Sequence, residues 1–299
     1  MSAILMLGAG GFVGAHLADS LSLVKEGERG GLLPSMHFRY DRFTRSVKVL
    51  NINNLDFGRE PKEMTLDLFT QRFEKVIVIN LMTNPREANL DNVMEANYSI
   101  PQSILQELIR NGNKISWIQV NSYFQFYYSL YGVDKDEYSK QKRLFNNELL
   151  KLRDDSIISV MQVYSPHLYG YLENKVRITS RLRDLVQGRL KQLFVSSGRQ
   201  FLPLLDVRAF VSVISELVGR DNHYRSSGAI YVRPEINYKL SHICNLAASL
   251  RRDGEGRITF YKQVERPNEL YEPNFVPHDL PQYDSKLTFN FLDYLSSKD

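Results

Sequence analysis

An α/β fold built on a doubly wound parallel sheet is what this sequence predicts, and three observations predict it. Short runs that are apolar throughout, such as Ala3-Ile4-Leu5-Met6-Leu7 and Val76-Ile77-Val78-Ile79-Asn80-Leu81, have the pattern of strands buried on both faces. Such runs alternate with segments of helical periodicity over about 190 residues. The first run passes through a cluster of glycines, Gly8-Ala9-Gly10-Gly11-Phe12-Val13-Gly14, straight into a helix.

Taken in order, Phe12, Val13, Leu17, Leu21 and Val24 recur at helical spacing after the glycines. The stretch from Gly27 to Pro34 breaks that pattern, and Met36 to Tyr40 reads as a second strand ending at Asp41-Arg42. Between Phe43 and Met64, Val47, Val49 and Ile52 alternate like a strand, whereas Asn53-Asn54 and Gly58 to Pro61 read as loop. A strand at Val76–Leu81 leads to a helix from about Leu90 to Arg110, closed by Asn111-Gly112-Asn113 in the manner of a C-cap. A strand Ile115–Val120, a helix from about Tyr138 to Leu152 and a strand Ile157–Val163 follow. The last third has short apolar runs at Gln192–Val195, Ala229–Val232 and Arg257–Tyr261. Its helices are expected near Val176–Gln187, Val207–Val218 and Leu240–Arg251. The expected division is a Rossmann-type domain over 1–165, to which part of 200–235 returns, and a smaller C-terminal α/β domain over 166–299.

Composition narrows the functional class. A hydrophobic content of 43% and a charged content of 24% are those of a soluble globular enzyme with a sizeable core. The net charge of +4 comes from 38 basic and 34 acidic residues that are scattered, so no nucleic-acid partner is expected. No apolar run approaches the roughly 18 residues that span a bilayer, so no membrane partner is expected either. The single cysteine, Cys244, excludes an internal disulfide framework and a multi-cysteine metal site, and no metal is expected. His242-Ile243-Cys244-Asn245-Leu246 reads as one side of an amphipathic helix, which buries the thiol. Residues 3–7 enter the glycine turn with no basic segment ahead, so a secretory leader is not expected and a reducing, cytoplasmic location is.

Glycines at three-residue spacing between a buried strand and a helix have a physical task. The first allows a tight turn, the middle lets backbone N–H groups approach a pyrophosphate, and the third lets helix and strand pack closely. The helix dipole then favours the anion. Gly8, Gly10, Gly11, Phe12, Val13 and Gly14 are therefore candidate cofactor-binding residues. Asp41, at the end of the second strand, is placed to accept hydrogen bonds from an adenosine ribose and to oppose a 2′-phosphate. It lies 27 positions after Gly14, with Gly27–Pro34 as the excess over the roughly 20 expected. Arg39 and Arg42 beside it could accommodate a phosphate, so NAD(P)(H) is the expected cofactor, with NAD(H) favoured by Asp41.

Tyr138 and Lys142 are four apart in a helical segment and so project from one face. An ammonium near a phenol lowers its pKa and makes it a usable proton donor and acceptor near neutral pH. A carbonyl reduced by a nicotinamide needs such a relay at its oxygen.

At this point the sequence resembles a family. Gly-x-x-Gly-x-x-Gly at 8–14, Tyr-x-x-x-Lys at 138–142 and the order of elements are similar to the extended short-chain dehydrogenase/reductases, through most of the chain. The resemblance implies that Asp67-Leu68 faces the adenine and that Leu81 and Met82, in Asn80-Leu81-Met82, stand where the family has His-Leu-Ala. It also implies that Asn97 is the family's helix asparagine and that Lys142 holds the nicotinamide ribose. His167-Leu168-Tyr169-Gly170 resembles the Asn-Val-Tyr-Gly turn beneath the sugar-nucleotide site, and His167 there is similar to a CDP-linked 4-ketosugar reductase. Arg266-Pro267-Asn268-Glu269 resembles the Arg-Pro-Gly-Glu segment whose arginine contacts the substrate diphosphate. Ser122-Tyr123-Phe124-Gln125-Phe126-Tyr127 is similar to a stretch of some nucleotide-sugar reductases and epimerases.

Three departures matter. The family's catalytic Ser or Thr falls at Val120. Ser122, two residues on and on the same face if the strand continues, is the expected substitute; Ser139 is a poorer alternative, and a missing hydroxyl is the third. The Arg-Asp-Phe segment is replaced by Leu202-Pro203-Leu204, leaving Arg199 and Arg208 as candidates for the diphosphate, since an anion of that shape wants a fork of donors. The Asp-Glu pair of the family's dehydratases is Asn121-Ser122 here, and neither titrates usefully, which disfavours elimination of water. The resemblance thus implies an NAD(P)-dependent oxidoreductase acting on a nucleotide-diphosphate sugar, by reduction of a 4-keto group. A C4 epimerase with tightly held NAD and a non-catalytic Rossmann nucleotide-binding subunit are the alternatives. A homodimer through two helices of the Rossmann domain is implied as well.

Overall fold

A computed structural model describes residues 2–22, 36–49, 63–83, 90–123, 125, 137–219, 228–251, 257–261 and 280–297. Its strands are β1 Ser2–Leu7, β2 Met36–Asp41, β3 Ser46–Val49, β4 Glu63–Thr65, β5 Lys75–Asn80, β6 Lys114–Ser122 and β7 Ile158–Ser165, then β8 His167–Tyr169, β9 Gln192–Val195, β10 Phe201–Asp206, β11 Gly228–Val232, β12 Ile236–Lys239, β13 Arg257–Phe260 and β14 Gln282–Tyr283. Its helices are α1 Phe12–Ser22, α2 Leu66–Arg72, α3 Leu90–Met94, α4 Ile100–Arg110, α5 Glu137–Asp154, α6 Ile178–Val186, α7 Val207–Gly219, α8 Leu240–Leu250 and α9 Phe291–Ser296. Two compact units divide the chain: Met1–Asn121, Asp134–Tyr164 and Val211–Ile230 form one, and Ser122–Val133, Ser165–Phe210 and Tyr231–Asp299 the other.

The central sheet has the order β14-β11-β7-β6-β5-β1-β2-β3-β4. β1 pairs in parallel with β2 and β5, and β5 with β6, which is the pattern expected of fully apolar strands. All five residues from Ala3 to Leu7 are buried. The edge departs from a uniformly parallel sheet, because β3 runs antiparallel to both β2 and β4. Only four residues, Arg42 to Arg45, join β2 to β3, and a link that short forms a hairpin, whereas a parallel crossover needs a dozen or more residues.

The core of this unit lies between the sheet and α2, α4 and α5. Phe38 of β2, Phe69 of α2 and Phe73 just after that helix meet with ring centroids 5.0–5.2 Å apart, and all three rings are buried. Trp117 of β6 meets Phe145 of α5 edge-on at 5.5 Å. Helix α2 begins where the Thr65 hydroxyl accepts the Leu68 N–H. Asn113, beyond the Asn111-Gly112 cap of α4, donates its side-chain N–H to the carbonyls of Thr70 and Phe73, tying the end of one helix to the end of another.

The helix expected to run unbroken from Leu90 to Arg110 is interrupted. Glu95–Ser99 forms a π turn between α3 and α4, in which the Ile100 N–H donates to Glu95 O. Pro101 follows at the start of α4. A proline there has no N–H for the carbonyl four residues back and its ring crowds that carbonyl, and a widened turn relieves both.

In the second unit, β10 pairs antiparallel with β12 and parallel with β8, and β9 pairs in parallel with β13. Tyr169, Leu182, Leu193, Leu204, Ile243 and Phe291 belong to its core. Cys244 is buried among them, and burial pushes its thiol up to about 12, so it packs rather than reacts. The buried Glu173 carboxylate accepts from Thr179 Oγ1 at 2.6 Å and Tyr294 Oη at 3.1 Å, which anchors α9. Among the described residues no helix is long and apolar enough to cross a membrane.

Phe69→Ala, which empties the centre of the three-phenylalanine cluster, is expected to cost about 3–5 kcal/mol. Urea unfolding of the two proteins measures it, and a loss below about 1 kcal/mol contradicts the packing described.

Candidate active site

The β1–α1 turn is built by exclusion of side chains. Gly8 has φ +83°, and a Cβ on it would lie 2.9 Å from Met82 N and 3.0 Å from the Leu81 carbonyl carbon. A Cβ on Gly14 would lie 2.3 Å from Gly8 O and 2.6 Å from Ala9 Cα. Gly11 donates its N–H back to Gly8 O at 3.0 Å, closing the turn. Around Gly10 a Cβ would meet nothing within 4 Å. The turn is thus packed below and open above the start of α1, where Phe12 and Val13 begin the helix and present its first N–H groups. That shape fits a pyrophosphate.

The segment after β5 lies beside this turn. Leu81 donates its N–H to Leu7 O at 2.9 Å, and the buried Asn80 side chain accepts the Met82 N–H at 3.1 Å. Asn97 sits in the π turn, buried, donating to Val93 O at 2.8 Å.

Asp41 ends β2 as the sequence predicts, and its carboxylate organises the hairpin. Oδ1 accepts the N–H groups of Phe43 at 3.0 Å and Thr44 at 3.3 Å, while Oδ2 accepts Lys48 Nζ at 2.8 Å. The Lys48 bond and then the Phe43 N–H hold its pKa down, at about 2, so the group is an anion at all ordinary pH. The Arg42 guanidinium lies 4.7 Å from the Phe43 ring centroid. Asp67 and Leu68 stand in the first turn of α2, after β4 and with β3 between that strand and β2. Asp67 accepts from Gln71 Nε2 at 2.9 Å, and Leu68 is 57% exposed.

Tyr138 and Lys142 lie on the face of α5 that also carries Phe145 and Leu149 to the core. Lys142 Nζ is 5.8 Å from the Tyr138 ring centroid. Its ammonium is buried and donates to Val120 O at 3.1 Å and Met82 O at 3.3 Å, joining α5 to the ends of β5 and β6. Burial lowers its pKa from the usual 10.5 to about 8. Ser139 is also buried on α5. β6 continues to Ser122, so Ser122 leaves the strand on the same side as Val120. Asn121 is buried between them, hydrogen-bonded to the Tyr164 phenol, which burial pushes up to about 12.

The remaining candidates lie in the second unit. His167 begins β8 and pairs with Leu204, so His167-Leu168-Tyr169 is strand rather than turn, and Gly170 follows with φ +150°. Leu202-Pro203-Leu204 lies within β10, and Arg199 sits two residues before that strand begins. Arg208, in the first turn of α7, sends Nε and Nη2 to the two oxygens of buried Asp206 at 2.9 and 2.8 Å. Its guanidinium also stacks 3.8 Å from the Phe289 ring centroid. Arg266 lies outside the described residues. Gln119 was not singled out in the sequence, although a glutamine inside an otherwise apolar strand is a visible signal; it is buried and accepts Asn80 Nδ2 at 2.9 Å.

No family model matches the sequence, and no curated protein matches it. Solved structures do. A GDP-6-OMe-4-keto-L-xylo-heptose reductase from C. jejuni superposes with a TM-score of 0.65 at 13% identity, covering 99% of this chain and 95% of that one. RMD from Pseudomonas aeruginosa complexed with NADPH gives 0.64 at 15% identity, over 99% and 96%. MoeE5 in complex with UDP-glucuronic acid and NAD gives 0.63 at 13%, over 98% and 96%. The chain has the fold of these proteins. That fold extends along nearly the whole length of both partners in each comparison.

Two outcomes follow from the turn and the lysine. Gly14→Ala must displace backbone and is expected to cost about 3 kcal/mol, whereas Gly10→Ala stays within about 0.5 kcal/mol in denaturant unfolding. For Lys142, the folded chain releases its proton near pH 8 while the unfolded chain holds it to 10.5. The stability difference between wild type and Lys142→Met is therefore flat below pH 8 and shifts toward wild type between 8 and 10.5, by up to roughly 3 kcal/mol. Unfolding measured across that range checks the sign; a shift toward the variant contradicts it.

Proposed function

We propose that this chain is an NAD(P)(H)-dependent oxidoreductase that reduces a 4-keto group on a nucleotide-diphosphate sugar. The observation that carries the proposal is Lys142, buried beside Tyr138 and bonded to Met82 O, the loop against which the glycine turn packs. A buried cation beside a phenol and a glycine cradle is a costly arrangement, and it matches the demands of proton transfer next to a dinucleotide. The open space at Gly10 and the side-chain exclusion at Gly8 and Gly14 fit that cofactor. Three similar folds support the class: RMD was solved with NADPH, MoeE5 with UDP-glucuronic acid and NAD, and the third is a keto-heptose reductase.

Gly8, Gly10, Gly11 and Gly14 with the start of α1 hold the pyrophosphate, and Asp41, Arg42, Asp67, Leu68, Leu81, Met82 and Asn97 complete the cofactor set. The anionic Asp41 opposes a 2′-phosphate and favours NAD(H). When bound, the dinucleotide supplies hydride to the carbonyl carbon. Tyr138 gives its proton to the carbonyl oxygen, Lys142 anchors the ribose and supports the developing phenolate, and the Ser122 hydroxyl orients the carbonyl. We assign the substrate contacts to His167, Arg199 and Arg266. Among the arginines Arg199 leads, because the fork of Arg208 already holds Asp206. We place the enzyme in the cytoplasm as a homodimer through two helices of the first unit; the buried lone thiol suits a reducing compartment.

A panel of nucleotide-diphosphate 4-ketosugars with NADH and NADPH tests the activity. Tyr138→Phe is expected to lower kcat by about 100-fold or more while NADH affinity stays within about twofold. Unchanged turnover overturns the assignment of the proton donor. Interconversion of C4 epimers without added cofactor, with NAD retained through purification, replaces the reductase by an epimerase.

A further inference from the structure

The lysine is held by a closed ring of hydrogen bonds whose polarity one indole determines. Lys142 Nζ donates to Met82 O at 3.3 Å and to Val120 O at 3.1 Å. The Met82 N–H donates to Asn80 Oδ1 at 3.1 Å, and Asn80 Nδ2 donates to Gln119 Oε1 at 2.9 Å. Gln119 Nε2 donates to Val120 O at 3.3 Å, which returns the ring to the lysine. Side-chain amides can be turned either way, but Trp117 Nε1 donates to Gln119 Oε1 at 3.1 Å. An indole N–H can only donate. The glutamine must therefore present its oxygen to Trp117 and its nitrogen to Val120, and Asn80 must present nitrogen to Gln119 and oxygen to Met82.

Asn80 and Gln119 are each 1% exposed, and no water need mediate any link. The two carbonyls that accept the ammonium belong to backbone beyond the β5 pairing and near the end of β6, where the sheet's own ladder constrains them least. Gln119 donates directly to the Val120 carbonyl, and Asn80 holds the Met82 residue by accepting its N–H. Fixing two N–H groups of an ammonium fixes the direction of the third.

We propose that Asn80 and Gln119 are positioning residues for Lys142, acting through Met82 and Val120, with Trp117 setting the orientation of both amides. They touch neither substrate nor cofactor. This rests on the assignment of Lys142 to a dinucleotide site, and the two can be tested apart.

The test uses the full chain labelled with ¹⁵N-lysine. The Lys142 ammonium signal at pH 6, identified by its loss in Lys142→Met, is expected to exchange slowly with water in the wild type. In Asn80→Leu and Gln119→Met, which keep volume but break the ring, exchange is expected to rise about tenfold. Trp117→Phe keeps an aromatic ring against Phe145 while removing the indole donor together with part of the ring system, and is expected to act in the same direction should either of the others fold poorly. NADH and NADPH serve as binding probes by fluorescence. Each ring variant is expected to weaken binding about tenfold in the wild type and not at all in a Lys142→Met background. Unchanged exchange, or equal weakening in both backgrounds, overturns the proposal. If neither dinucleotide binds the wild type, the cofactor assignment falls, and the exchange measurement still decides the ring.

Discussion

A lysine ammonium buried against neutral backbone carbonyls is the constraint around which the first unit is arranged. Such a group loses its hydration on folding and is tolerated only if every contact offered to it is well placed. Val120 O and Met82 O are those contacts: Val120 lies in β6 and Met82 two residues past β5, and the two strands pair in parallel, residue for residue, from Lys75↔Lys114 to Asn80↔Gln119. The site therefore inherits its geometry from the register of β5 and β6. A slip of one residue between them would put the two amide side chains on opposite faces and take the ring apart.

The same face of the sheet changes chemistry along its length. Val76 and Val78 on β5, Ile115 and Trp117 on β6, and Ile158 and Val160 on β7 are buried in the core beneath α4 and α5. Toward the carboxyl ends the succession becomes Asn80, Gln119, Asn121, Gln162 and Tyr164, still buried. α5 follows suit with the same spacing, Leu149 and Phe145 over the apolar part, then Lys142 and Tyr138. The apolar part provides stability without reactivity. The polar part is where a charged helix residue can be satisfied, and a sheet of this topology brings ligands to that end.

Much of this was legible in the sequence. Fully apolar runs gave away β1 and β5, because runs that short between breaking or polar segments suit a buried strand rather than a helix, and helical spacing located α1, α5, α7 and α8 within a few residues. The glycine spacing and the Tyr-x-x-x-Lys pair picked out two parts of the candidate site, since both are local patterns. What escaped was non-local or one residue long. The antiparallel β3 depends on a short Asx-type turn at Asp41, whose side chain accepts its own backbone two and three residues on. The π turn at Glu95–Ser99 is a response to Pro101 that helical periodicity cannot display. The role of Gln119 became visible only when its partner across the strand, Asn80, was beside it.

The arginines show the same difference between a residue type and its use. From sequence, Arg199 and Arg208 were equal candidates, since a guanidinium fork suits a diphosphate wherever it stands. The structure separates them by asking where the fork already points. Arg208 meets both oxygens of a buried carboxylate and stacks on Phe289, and to turn it toward another anion would leave Asp206 buried without its counterion. That loss is larger than the gain from a partly hydrated phosphate contact. Arg199 precedes β10 in a loop anchored by Gly198, whose carbonyl accepts the Ser241 N–H at the start of α8.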